Sequence, residues 1–491
     1  MSIQNKSNFN QALWLSISYT CSMLVGIVSS MILSRYFDKV EYGSYRQIIF
    51  IYNTLLTIFQ AGLPSVFTFF LPRYSKEEGK YIVKKLQRIL FALGTCFSIT
   101  LFFGADIIAT MFKNPTLADG LRIFSIFPLF TLPTLGIEGI YIVNKKTQYI
   151  AIYQTVTRLL MLVCIVVPVI FIKNDYRYAL IGWGVASFIA FVIAIIAKHN
   201  EYKDFNTQKI DYISKDIIKY SLPLMGSAII MMLFNSCTQF FISRYYGTEA
   251  FAEFSNGYLT LPFVPMFIAP VRSLLTPIFS KASKEGIYDS ALNTLYNGTK
   301  QIMTIMIPII VFAFIFSKEI MVVLYGKTYE ISSTYFRMML CYNFLEMFAF
   351  SGVINAIGKT KLHLYINIIC TVLLFLTSYI TVKINIGNPF IIAALFALCN
   401  GILHYFIPGF YLHVTENINV VNKDIFRYMF KLLLHAIISI TIVAVIVSYL
   451  SISSIIVEII IALFTYMIIM LGSSSFFKIN YLSVIKRILK K

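Results

Sequence analysis

Apolar residues run on for about 20 positions at a time along most of this chain, and the polar residues gather in short stretches between the runs. Such runs follow neither the period of an amphipathic helix nor the alternation of a half-buried strand; they suit a helix surrounded by hydrocarbon. The pattern predicts 14 membrane-spanning helices, near 11–33, 47–71, 86–109, 122–143, 149–172, 179–197, 216–242, 254–278, 296–317, 333–357, 362–384, 391–413, 429–450 and 454–472. Helices are required because a lipid-facing backbone must satisfy its hydrogen bonds within the segment. An outer-membrane barrel would alternate apolar and polar residues, and these runs are continuous. The first run follows a single cation and precedes no small-residue cleavage site, so it reads as an uncleaved span.

Composition agrees with this pattern. Of 491 residues, 58% are hydrophobic and 13% charged, against about 45–50% and 25% in soluble domains. A soluble enzyme, a disordered chain and a collagen-like chain are thereby excluded. The seven cysteines all lie inside apolar runs and read as small buried hydrophobes, and the five histidines show no metal-ligand spacing. No metal or cofactor is expected.

The net charge of +19 would suggest nucleic acid in a soluble protein. In a polytopic membrane protein it reflects the gathering of Lys and Arg in cytoplasmic loops, and no nucleic-acid partner is expected. With the N-terminus inside, inner segments carry 27 of the 41 cations and outer segments 12; Arg158 and Arg272 lie within spans. Both termini are therefore expected in the cytoplasm, in a multi-pass protein of the cytoplasmic (inner) membrane. The loops are too short for a soluble catalytic domain, so no enzyme is expected. The tail FFKINYLSVIKRILKK mixes apolar residues with five cations. It reads either as an amphipathic helix on an anionic surface or as a loose basic tail that enforces topology.

The chain repeats itself. Ser34-Arg35-Tyr36-Phe37 recurs as Ser243-Arg244-Tyr245-Tyr246 at an offset of 209. Ser65 and Thr68 recur as Ser273 and Thr276, and Ser75-Lys76-Glu77 as Ser283-Lys284-Glu285, both at 208. Lys146-Thr147 recurs as Lys359-Thr360 at 213. These matches imply a duplication of six spans with one orientation, related by an axis along the membrane normal. The expected architecture is all-α, with two pseudo-symmetric six-helix bundles and a C-terminal helix pair. The segments are 1–197 (first bundle), 198–215 (cytoplasmic linker), 216–413 (second bundle), 414–472 (extra pair) and 473–491 (basic amphipathic tail).

The stretches SRYFDKVEYGSYRQ and AGLPSVFTFFLPRYSKEEG resemble the first helical hairpin of Wzx-type polysaccharide-biosynthesis flippases. These belong to the multidrug/oligosaccharidyl-lipid/polysaccharide exporter superfamily. Length, span number and the six-plus-six repeat agree along the whole chain. The resemblance implies a flippase for a polyprenyl-diphosphate-linked oligosaccharide, with polymerase and ligase machinery as further partners. It supplies no catalytic motif, so residue roles rest on physical grounds.

A charge near mid-bilayer is costly and faces a partner or an aqueous cavity. Glu138, Arg158, Arg272 and Glu346 are the deep candidates. At 1.5 Å per residue, Arg158 lies roughly 13–15 Å and Arg272 roughly 10 Å from the inner ends of their helices. Two readings stand: both arginines bind diphosphate, whose oxygens match the guanidinium fork, or Arg158 merely pairs with Glu138. Arg272 lies in a span that carries Pro262, Pro265, Pro270 and Pro277. Prolines break helices, and a broken span either lines a cavity or is only kinked. Arg35, Arg46 and Arg244 sit at outer helix ends, where they either receive diphosphate or anchor the helices. Asn53 and Gln60, and Asn235 and Gln239, share helical faces and suit either sugar binding or helix–helix adhesion. Glu346 and Glu138 are candidates for proton or sodium coupling, or for structural pairs. GVINAIGKT (352–360) imitates a phosphate-binding loop but has five residues, not four, between its glycines and closes a membrane helix. No nucleotide partner is expected. The alternative to a flippase is a cation-coupled multidrug exporter of the same superfamily, for which a cavity rich in arginine is poorly suited.

Overall fold

The computed structural model describes residues 3–483 except 212, 260, 262, 263, 349, 385, 386, 421 and 451. The side chains of 3–13, 15–17, 265–267, 269, 270 and 273 are also outside the description. The described residues are helical or irregular, with no strand among them.

The first compact unit is Met1–Ala252. It contains α1 (Ile3–Tyr36), α2 (Lys39–Phe59), α3 (Leu63–Phe70), α4 (Lys76–Met111), α5 (Leu117–Phe124), α6 (Ile126–Thr131), α7 (Ile137–Val143), α8 (Thr147–Phe171), α9 (Tyr176–Tyr202) and α10 (Ile213–Tyr245). Next, α11 (Gly247–Gly257) straddles the boundary. The second unit, Glu253–Lys491, contains α12 (Val264–Glu285), α13 (Asp289–Ile315), α14 (Ser317–Tyr325), α15 (Ser332–Glu346), α16 (Phe350–Ala356), α17 (Thr360–Lys383), α18 (Phe390–Gly401), α19 (Ile407–Val414), α20 (Lys423–Leu450) and α21 (Ile455–Gly472).

Among the described residues, ten helices are long and apolar enough to cross a membrane, and two bent helix pairs raise the number to 12. The bent pairs are Lys39–Phe59 with Leu63–Arg73, and Ser332–Glu346 with Phe350–Ala356. The other two expected spans, 11–33 and 254–278, fall on α1 and on α11 with α12, which include residues outside the description.

The compact units meet one span later than the expected linker at 198–215. The reason is the packing of α10, which lies against α2 and α3 of the first unit. Gln47 Nε2 donates to Ser243 Oγ at 2.7 Å, and Thr54 Oγ1 lies 3.3 Å from Ser236 Oγ. The start of the linker is also helical, because α9 continues to Tyr202 and buries Lys198.

Two breaks shape the first unit. Ala61 (φ 49°) and Gly62 (φ 68°) end α2 and turn the chain into α3. Between α6 and α7, a 3₁₀ turn over Leu132–Thr134 leads to Gly136, whose φ is 88°. A Cβ at Gly136 would stand 2.2 Å from the Phe67 ring, so only glycine allows this close approach. The break frees backbone carbonyls, which must find other donors in an apolar setting. Lys198 Nζ supplies them, donating to Pro133 O (2.7 Å), Leu135 O (2.6 Å) and Gln87 Oε1 (3.0 Å). Gln87 Nε2 donates to Pro133 O at 3.0 Å.

A second buried polar cluster joins α2, α10 and the segment before α5. Asn114 Nδ2 donates to Gln47 Oε1 (2.7 Å) and Ser44 Oγ (3.1 Å), and its Oδ1 accepts from the Thr116 hydroxyl (2.7 Å). Above it, Tyr52 stacks on Phe97, and Phe124 and Phe127 meet Tyr52 edge-on.

In the second unit α20 packs along α13. His435 on α20 is buried, with Nδ1 at 2.9 Å from Tyr481 Oη and Nε2 at 2.8 Å from Ser473 Oγ. Phe477 stacks on the imidazole at 4.4 Å. The start of the tail is therefore folded back onto α20. Residues 473–480 form turns and irregular chain and 481–483 are helical, with Ile479 and Tyr481 buried. Residues 484–491, where most of the basic charge of the expected amphipathic helix falls, lie outside the described residues.

Candidate functional site

In the second unit, Glu346 is the last residue of α15, at the mouth of the break before α16. Arg272 reaches it from α12, with Nη2 at 3.8 Å from Glu346 Oε1. The glutamate side chain is 18% exposed and the arginine side chain 43%. A charge-assisted hydrogen bond spans about 2.7–2.9 Å, so this pair is loose and much of the guanidinium remains open. The sequence expectation of a partner for Glu346 and the expectation of an accessible Arg272 thus meet at one place. Pro262, and the side chains of Pro265 and Pro270, lie outside the described residues. Pro277 falls within α12, immediately after Thr276, whose hydroxyl donates to the Arg272 carbonyl at 3.0 Å.

Further polar groups surround the pair. Tyr342, one turn earlier on α15, and Tyr405, in a π-helical turn over Ile402–Phe406, lie within Coulombic reach of both charges. A π-turn of this kind marks a local departure from regular helix that recurs at functional sites. His404 Nδ1 lies 3.3 Å from Ser351 Oγ, which links that turn to α16. The Tyr405 hydroxyl and Asn343 Oδ1 are buried without a hydrogen-bond partner among the described residues. Buried polar atoms of this kind ordinarily bond to something, so the cluster offers open donors and acceptors. Tyr405 also borders a cavity of about 850 Å³ that runs between α15, α19 and α20. Its walls are aromatic, among them Phe348, Phe410 and Phe426, and its polar rim includes His413 and Lys423.

The first unit places the remaining candidates differently. Glu138 sits just beyond Gly136 and accepts from Gln154 Nε2 and, at 3.4 Å, from the Tyr19 hydroxyl. Ser18 Oγ bonds Gln154 in turn. Arg158 is exposed and does not pair with Glu138; its Nη1 lies 3.9 Å from Met161 Sδ, and Tyr52 and Tyr153 are within Coulombic reach of its charge. The alternative in which Arg158 pairs with Glu138 is not realised, because Gln154, one turn earlier on α8, bonds the carboxylate.

The contact between Gln47 and Ser243 brings the neighbouring Arg46 and Arg244 to the same end of the α2/α10 pair. Arg244 donates through Nη1 to the Met111 carbonyl and lies 5.4 Å from the Tyr245 ring centroid, so one of its donors ties the ends of α4 and α10. Arg46 is half-buried, and Arg35 is exposed at the end of α1. Asn53 and Asn235 are exposed, each one residue before the Thr54 and Ser236 pair that joins α2 to α10. Gln60 ends α2, and Gln239 is half-buried on α10.

Lys198 and the Asn114 cluster were missed by sequence reasoning. Lys198 stands at the end of an apolar run, where it reads as one more inner-loop cation; only the break at 132–136 reveals why it is buried.

The model of polysaccharide biosynthesis proteins matches residues 9–283, more than half of the chain. The chain belongs to that family. The MatE model matches residues 223–380. No curated protein matches the sequence significantly. Among solved structures, the fold is similar to lipid II flippase MurJ in an inward-closed conformation, with a TM-score of 0.70 and 17% identity over 95% of this chain and 99% of that one. It is also similar to a transporter of the MOP superfamily from Pyrococcus furiosus (TM-score 0.57, 14% identity, 83% and 95% covered). The MATE transporter VcmN of Vibrio cholerae gives 0.56 and 14%, with 84% and 98% covered. These likenesses show the fold: a multi-pass, all-helical membrane transporter architecture.

Proposed function

We propose that this protein is a flippase that carries a polyprenyl-diphosphate-linked oligosaccharide, an O-antigen or capsule repeat unit, from the inner to the outer leaflet by alternating access. The observation that carries the reading is Arg272, a guanidinium on a membrane helix, 43% exposed and held only loosely by Glu346 at 3.8 Å. A membrane-embedded arginine keeps its charge and needs an anion. A diphosphate offers several oxygens to the guanidinium fork and competes with one distant carboxylate. In the proposed cycle the diphosphate takes Arg272 from Glu346, and the released carboxylate accepts a proton or a sodium ion. Arg158, exposed and without an ion pair among the described residues, serves as a second diphosphate contact. Arg46, Arg35 and Arg244 stand at helix ends as exit-side contacts. Asn53, Gln60, Asn235 and Gln239 offer amides to the sugars, and the lipid tail stays in the bilayer. The polysaccharide polymerase and ligase machinery consumes the product. Membership of the polysaccharide biosynthesis family supports the substrate class, and the fold shared with MurJ supports the lipid-linked form.

The MatE match over 223–380 and the MATE-like folds favour a second reading, a cation-coupled drug exporter. Proteoliposomes separate the two. Purified protein is offered a fluorescent polyprenyl-diphosphate oligosaccharide, with and without proton and sodium gradients, beside an Arg272→Ala variant. Movement of the lipid-linked sugar that falls at least tenfold in the variant supports the flippase. Exchange of cationic dyes for protons or sodium without any movement of the sugar overturns it.

A further inference from the structure

A cavity of about 570 Å³ opens in the first unit between the end of α3 and the start of α10, and none of its lining residues is assigned a role above. It is lined by Phe69, Phe70, Arg73, Tyr74, Asp216, Lys219 and Tyr220. Three of these form a stack. The Arg73 guanidinium lies 3.6 Å from the centroid of Phe69, and Tyr220 stacks on Phe69 at 4.0 Å. The two distances place the cation and the tyrosine on opposite faces of the same ring. Stacking fixes the plane of a guanidinium, and its N–H donors lie in that plane, pointing away from the ring. Among the described residues Arg73 has no hydrogen bond or ion pair, and neither Lys219 nor Asp216 has an ion pair.

Neighbouring cations on the same face behave otherwise. Lys80 Nζ donates to Phe205 O at 2.5 Å and Lys84 Nζ to Thr207 Oγ1 at 3.1 Å, so both are spent on pinning the loop after α9. Arg73 and Lys219 are exposed beside the open volume, with no carbonyl or carboxylate of the described residues bonded to either. Basic pockets between membrane helices suit phosphorylated headgroups. Asp216 adds a feature that a plain phosphate site would not need, since a carboxylate repels phosphate but accepts hydrogen bonds from hydroxyls. We infer that this pocket binds a phosphate that carries neighbouring hydroxyls, with Arg73 and Lys219 on the phosphate and Asp216 on the hydroxyls. A glycerophospholipid headgroup and a soluble sugar phosphate share that chemistry. The inference does not rest on the flippase reading.

Binding would be measured on the full-length protein in phosphatidylcholine nanodiscs, by thermophoresis. The probes are short-chain phosphatidylglycerol, short-chain phosphatidylcholine and glucose 1-phosphate. Phosphatidylglycerol or glucose 1-phosphate is expected to bind at least tenfold more tightly than phosphatidylcholine. Binding of the lipid alone assigns the site to a headgroup; binding of glucose 1-phosphate assigns it to a soluble ligand. Arg73→Ala is expected to weaken binding at least tenfold. Arg73→Lys keeps the charge and the fold while losing the stacked fork, and is expected to lose several-fold. With short-chain phosphatidic acid as a fourth probe, a phosphate without the neighbouring hydroxyls, Asp216→Asn is expected to reduce the preference for the hydroxyl-bearing probes. Affinities within twofold of the unaltered protein in both Arg73→Lys and Lys219→Ala would overturn the assignment, as would equal binding of phosphatidylcholine.

Discussion

Arg272 and Lys198 are both cations in apolar surroundings, and they differ in what surrounds the charge. Lys198 is 4% exposed, and three oxygens hold its ammonium within 3.0 Å. Arg272 has one carboxylate at 3.8 Å and keeps 43% of its side chain open. The first is a structural plug; in the proposed cycle the second exchanges its partner. Lys198→Met is expected to destabilise the protein without a specific effect on substrate, because it leaves the Leu135 carbonyl unpaired, at a cost of about 1–3 kcal/mol. The half-time of thermal inactivation in detergent would show this, and an unchanged half-time would refute the plug. Arg272→Lys is expected to retain more translocation than Arg272→Ala, since charge survives and the fork does not. Neither outcome was legible in the chain, where both residues appear as single cations at or within apolar runs. Depth within a helix can be counted from sequence, but the partner of a charge comes from another helix.

At the scale of elements, the two halves reuse the same devices. α1 ends at Tyr36 and α10 at Tyr245, at the offset of the repeated Ser-Arg-Tyr motif. The repeated Lys-Thr pairs have equivalent partners. Lys146 Nζ lies 2.8 Å from Glu201 Oε1, and Lys359 Nζ lies 3.0 Å from Glu416 Oε1, so each half ties the loop after its broken span to the end of its sixth span. The repeated Ser-Lys-Glu motif diverges: Ser75 caps α4 in a capping box with Glu78, whereas Ser283 lies within the last turn of α12.

The Lys359–Glu416 pair is pH-sensitive. The hydrogen bond from Lys359, helped by the Tyr411 hydroxyl at 2.9 Å, holds the Glu416 carboxyl below its usual range. The same hydrogen bond holds Lys359 above the usual lysine range. A carboxyl depressed in the folded state contributes stability above its unfolded pKa and loses it as the pH falls through the depressed value; a raised lysine contributes below its unfolded pKa and loses it as the pH rises through the raised one. The link is therefore complete across neutral pH and fails in acid. Glu416→Gln is expected to flatten the acid limb of a thermal-stability profile, and an unaltered limb would count against the pair. The break at Gly136 is the other testable element. Gly136→Ala places a Cβ 2.2 Å from the Phe67 ring at φ 88°, and the left-handed backbone alone costs about 1–2 kcal/mol for other residues. Lower expression and an earlier inactivation midpoint are expected, and wild-type values for both would argue against a strained turn.

For the whole molecule, the distribution of Lys and Arg makes a prediction about sidedness. A cysteine introduced at Asn206, in the loop pinned by Lys80 and Lys84, is expected to react with an impermeant maleimide only after the membrane is opened. One introduced at Asn174, between α8 and α9, is expected to react in intact cells. The reverse pattern would invert the proposed direction of transport. The tail belongs to this scale too, because His435 holds Ser473 and Tyr481 against α20 from 38 and 46 positions away in the chain.

Runs of apolar residues were enough to determine an all-helical membrane chain and the approximate limits of its spans, while the charge bias and the recurrence of short motifs set the expected orientation and repeat. Those features are local: hydrocarbon length, backbone hydrogen bonding and loop charge act on each segment alone. Only tertiary structure decided that Glu346 faces Arg272 while Glu138 turns to Gln154, that Lys198 fills a helix break, and that the tail folds back on α20. Each depends on which side chain reaches a given atom first, and competition between distant segments leaves no periodic trace. The same reason explains why α10 joins the first compact unit. Its side-chain contacts with α2 outweigh its place in the repeat.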